Sequence, residues 1–92
     1  MIDTFKLLSG KKELTIIKGE YKFHAYQDGN LFCVQISHTE NNHIFRIEKC
    51  VPIRKPVQNY FNEMERMLDG FVIKKYPLVL LMDGVLYLLR AL

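Results

Sequence analysis

Cys33 and Cys50 are the two cysteines of this chain, and with His24 they carry its best-placed groups for redox or metal chemistry. Thiolates and imidazole are good zinc ligands. Hairpin registers read from the turns align Thr15, His24, Cys33 and Cys50 in one cross-strand row. A structural zinc site wants four ligands, and no fourth lies near this row. Paired spacing such as C-x₂-C is absent as well. Directly opposed cysteines can also bond to each other where their Cβ spacing permits. The favoured reading is two small thiols filling a sheet. A redox pair and a metal site are the other two. His38 and His43 flank a second candidate, the Asn41-Asn42 turn with Glu40 beside it. Its residues suit a metal, but loop tips are polar by default, so a solvated turn is the expectation.

Basic residues offer anion chemistry in two forms. Arg46, Lys49, Arg54 and Lys55 cluster where a strand run meets a helix run, and a helix N-terminus there favours anions. Lys22, His24 and Tyr26 combine cations with an aromatic ring on one sheet face. Such a face resembles, in principle, a platform for single-stranded nucleic acid. A further group, Lys6, Lys11, Lys12, Lys18 and Lys22, is diluted by Asp3, Glu13 and Glu20. The net charge is +3, with 13 Lys and Arg against 10 Asp and Glu. This balance permits nucleic-acid contact without arguing for it.

Catalytic patterns are missing. The five glycines read as turns, so none forms a phosphate-cradling loop. There is no HExxH and no nucleophile elbow. Ser9 and Ser37 lack any triad context. The chain is read as a non-enzyme that needs no cofactor.

The elements that position these residues follow from turns and periodicity. Gly19-Glu20, Asp28-Gly29 and Asn41-Asn42 are two-residue hairpin candidates. The first places Ile16 opposite Phe23 and Leu14 opposite Ala25. The second places Phe23 opposite Val34, Tyr21 opposite Ile36 and Ala25 opposite Phe32. The third places Ile36 opposite Ile47 and Phe32 opposite Val51, with Lys49 a misfit opposite Val34. All three send one apolar set to one face, and a one-residue slip would flip a whole strand. The expectation is a meander with strands near 13–18, 21–27, 31–38 and 43–51.

Pro52 and Pro56 close the sheet segment. Val57, Tyr60, Phe61, Met64 and Leu68 then recur at helical spacing, predicting a helix near 56–69 with Gly70 beyond its end. Phe71-Val72-Ile73 reads as a short apolar run after it. Leu78 to Met82 reads as a buried strand. Asp83-Gly84 reads as a hairpin turn into Val85–Leu92, with a short helix N-capped by Asp83 as the alternative. Ile2, Phe5, Leu7 and Leu8 fit either a helix or an edge strand.

The whole therefore reads as one α+β domain over residues 1–92: an antiparallel β-meander of five to seven strands with one amphipathic helix packed on one face. No basic-then-apolar leader opens the chain, and the apolar tail is broken by Lys74, Lys75, Asp83 and Arg90. The expected location is cytoplasmic, with no membrane span. The apolar C-terminal third exceeds what so short a domain can cover. Three readings answer this: a central place between helix and meander, a homodimer interface, or a partner-binding surface, with the first two favoured; for the latter two, Leu78, Leu80, Met82, Leu86 and Leu88 are the candidate surface. The leading expectation is a protein-binding module, a small regulator or inhibitor. Lys- and Ile-rich usage would suit an AT-rich viral or phage genome. The second expectation is a nucleic-acid-binding module built on the basic residues above.

Overall fold

The computed structural model describes residues 13–70 and 77–92. Four strands come first: β1 (Glu13–Lys18), β2 (Tyr21–Asp28), β3 (Leu31–Glu40) and β4 (His43–Pro52). Two helices follow, α1 (Val57–Asp69) and α2 (Leu78–Arg90). The sheet is an antiparallel meander in the order β1-β2-β3-β4. Both helices contribute to the core on one face of it.

The turns set the sheet. Gly19 and Gly29 have φ of +62° and +61°, each at the first central position of its loop, where a II′ turn needs glycine. Asn41 and Asn42 both have positive φ, 52° and 66°, the I′ requirement met by the residues that tolerate it best after glycine. The first and third registers match the expectation. The second does not. Its loop is Gly29-Asn30, so Phe23 faces Ile36, Ala25 faces Val34 and Asp28 faces Leu31. Placing Gly29 first spares Asp28 a positive φ. The displacement is two residues, so every side chain keeps its face.

One face of the sheet buries Leu14, Ile16, Tyr21, Phe23, Ala25, Phe32, Val34, Ile36 and Val51. The α1 stripe of Tyr60, Phe61, Met64 and Leu68 packs on it. Phe61 meets Phe32 edge-on at 5.0 Å between ring centroids. Tyr60 is buried with its hydroxyl satisfied, accepting from the Arg54 backbone N–H at 2.9 Å.

The C-terminal third differs from expectation. Leu78 to Met82 is not a strand, and Asp83-Gly84 does not turn. Both lie within α2, which starts after Pro77. Met82, Val85, Leu86 and Leu89 recur at three- and four-residue spacing and are buried. That period belongs to a helix, and leucine favours it. The described sheet therefore has four strands rather than five to seven, and two helices cover it rather than one. The run Phe71-Val72-Ile73, the first eight residues, and the basic Lys6, Lys11 and Lys12 lie outside the described residues.

Candidate functional surfaces

The sheet face opposite the helices holds most of the residues suited to chemistry. The corrected β2–β3 register splits the expected row in two. Thr15, His24, Gln35 and Glu48 share one cross-strand row, and Glu13, Tyr26, Cys33 and Cys50 share the next. Cys33 and Cys50 stay directly opposed, with Cα atoms 4.0 Å apart, and form a disulfide. Their sulfurs and a Glu48 oxygen make the one group of three metal-type ligand atoms found among the described residues. Sulfurs bonded to each other are not thiolate ligands. His24 is not part of that group. Its Nδ1 lies 3.0 Å from the Thr15 hydroxyl, and its Nε2 lies 3.6 Å from Glu13.

Glu48 organises the centre of this face. The Tyr26 hydroxyl donates to one carboxylate oxygen, and Gln35 Nε2 donates to the other at 3.1 Å. The bond to Glu48 raises the Tyr26 phenol above its ordinary value, with help from desolvation and the charges of Glu48 and Asp28. Both rings that a stacked base would need are therefore tied to neighbours, since His24 also packs near Tyr26 at 5.6 Å.

The basic residues do not merge. Lys22 and Arg46 share a row with Ser37 between them on the open face. Lys49 alternates onto the helix side of β4, opposite Val34. Arg54 and Lys55 are exposed in the link to α1. Glu13, Glu48 and Asp28 share the open face with the two cations. His38 is drawn away from the β3–β4 turn: it stacks on Tyr21 at 4.4 Å and lies 3.5 Å from Glu20. His43 instead lies near Phe45, at 6.4 Å between ring centroids.

The second surface is α2. The candidate partner residues divide between its two sides. Met82 and Leu86 face the core, Leu78 is half-buried, and Leu80 and Leu88 are exposed. As a helix the segment buries one stripe, not alternate residues, so Met82 and Leu86 leave the open surface. Sequence reading missed Tyr87, which at 74% is the most exposed large apolar side chain described, and Val79 beside Leu80. The signal was there: a helical reading of Leu78–Arg90 separates these residues from the buried ones. An apolar groove of about 350 Å³ runs along the Leu80 and Leu88 side of the helix, lined also by Met67, Leu81 and Gly84.

The fold and these two faces define a small two-layer α+β domain. No protein-family model matches the chain, and neither a curated protein nor a solved structure matches it. No helix among the described residues is long and apolar enough to cross a membrane.

Proposed function

We propose that this chain is a non-catalytic protein-binding module, a small regulator or inhibitor acting by direct contact through the outer face of α2. The observation that carries this is the apolar helix face itself. Leu80, Tyr87 and Leu88 are exposed side by side on a 13-residue helix whose opposite side already fills the core, with Val79 exposed on the flank beyond Asp83 and Arg90. Exposed apolar residues gathered on one face, with a groove beside them, mark interaction sites. Helix-in-groove and helix-on-helix contacts use such faces.

The nucleic-acid reading has less support. Its cations are split between the two sheet faces and the α1 link, and its rings are hydrogen-bonded or packed within the open face. The two readings differ in salt dependence. Phosphate contacts release counterions and weaken steeply with salt, whereas apolar contacts do not.

The test is purification from native cells, with and without nuclease and high salt, of wild type and Leu80→Asp. Leu80 is 58% exposed, so its replacement does not open the core. A protein partner, whether a different chain that co-elutes or a second copy read from the mass, that survives nuclease and salt and is lost with Leu80→Asp is the expected result. A 260 nm excess removed by nuclease or salt, unchanged by Leu80→Asp, would overturn the reading in favour of nucleic acid.

A further inference from the structure

We infer that the partner of the α2 face is a second copy of this chain, bound as a two-fold antiparallel helix pair with Tyr87 of each copy seated on Gly84 of the other. This rests on the protein-binding reading above and names its partner.

Gly84 is the first observation. It stands in the middle of α2, where glycine costs roughly 0.8–1.0 kcal/mol relative to alanine. Nothing among the described residues requires it. A Cβ placed there would meet no atom within 4 Å, and its φ is not in the left-handed region. Among the described residues, the notch is therefore uncovered.

Spacing is the second. Leu80, Gly84, Tyr87 and Ala91 follow one another by four, three and four residues, and all four are exposed. That is the seam of a helix pair. In an antiparallel pair this seam matches itself. Tyr87 falls opposite Gly84 of the other copy, and Leu80 falls opposite Ala91. Each large residue meets a small one, twice, as an isologous two-fold contact requires. Close approach of helices at small residues follows the same steric logic.

Charge is the third. Asp83 and Arg90 lie along one flank of the seam, seven residues apart and both exposed. No salt bridge joins either to another described residue. Antiparallel pairing sets Asp83 of one copy beside Arg90 of the other, again twice. On the opposite flank Leu81 falls beside Leu88. The self-pairing is thus complementary in size, charge and polarity together. A helix of 13 residues is a short seam, so the dimer belongs among the weaker, reversible ones.

Sedimentation or light scattering from micromolar to millimolar concentration tests this. Wild type is expected to move from monomer to dimer mass. Gly84→Gln is expected to fill the notch and weaken association by about tenfold or more. Its melting temperature should hold or rise, because the new side chain has room and better helix propensity. Asp83→Arg and Arg90→Asp are each expected to weaken the dimer, and a mixture of the two variants to restore it. In that mixture both flanking contacts regain opposite charges. Three results would overturn the proposal: a wild type that stays monomeric, Gly84→Gln dimerising like wild type, or no recovery in the mixture. A monomeric wild type that still holds a partner lost with Leu80→Asp would sink the dimer alone. A monomer with no such partner would sink the binding reading with it.

Discussion

Cys33 and Cys50 are opposed on neighbouring strands, so strand pairing itself brings their sulfurs within bonding reach. The bond closes a loop across a sequence separation of 17, for which chain-entropy reasoning gives about 3 kcal/mol. Urea unfolding with and without a thiol reductant should show a loss of that order on reduction. A Cys50→Ala variant should start at the lower stability and ignore the reductant. Disulfides persist in oxidising compartments, so the state of this pair in cells also reports where the chain resides. Tyr26 supports a second prediction. Its phenol is raised when folded, so its bond to Glu48 stabilises the fold below the ordinary tyrosine value near 10. That contribution is lost as pH rises through the higher folded value. Absorbance titration should find one phenol ionising later than the ordinary range, and Tyr26→Phe should remove it. This group lies at the surface, so the stability change is expected to be small.

At the scale of elements, α1 was legible in advance and α2 was not, for one reason. The α1 stripe leaves clear polar positions between its apolar ones, so its period is visible. In α2 nearly every position is apolar, and a period cannot be seen without contrast. The two sides of α2 should therefore respond differently to the same change. Leu80→Asp should leave the melting temperature near wild type. Met82→Asp should unfold the domain, because Met82 is 1% exposed and a charge there has no partner. Circular dichroism melts of both variants check this. In α1, Met64→Ala should cost about 2–5 kcal/mol by leaving a cavity between helix and sheet. Denaturant unfolding measures it.

At the scale of the molecule, one sheet face is covered and the other is open. On the open face the described polar groups largely satisfy each other: Thr15 with His24, and Tyr26 and Gln35 with Glu48. On the helical side the covering layer ends in apolar residues that nothing described covers. The open face also exposes Ile17 and Ile44, but on its two opposite edge strands, β1 and β4, whereas Leu80, Tyr87 and Leu88 adjoin on one helix, and this difference predicts where binding resides. Lys22→Ala with Arg46→Ala should leave association unchanged at moderate salt, whereas Leu80→Asp should abolish it. Parallel light-scattering measurements compare the two. If the lysine and arginine pair mattered instead, the open face would be the interface.

Turn chemistry and side-chain periodicity alone specify the meander, its faces, and α1. Gly19, Asn41 and Asn42 specify their turns through φ, and alternation specifies which side of each strand is buried. Even the misplaced β2–β3 turn kept the faces, because its error was an even number of residues. The same error misassigned the row around His24, since neighbours across strands depend on register and not on parity. That residues 78–90 are a helix, and that its second side is uncovered among the described residues, follows from packing alone. A uniformly apolar segment takes its conformation from what it packs against, and that surface exists only once sheet and α1 are assembled.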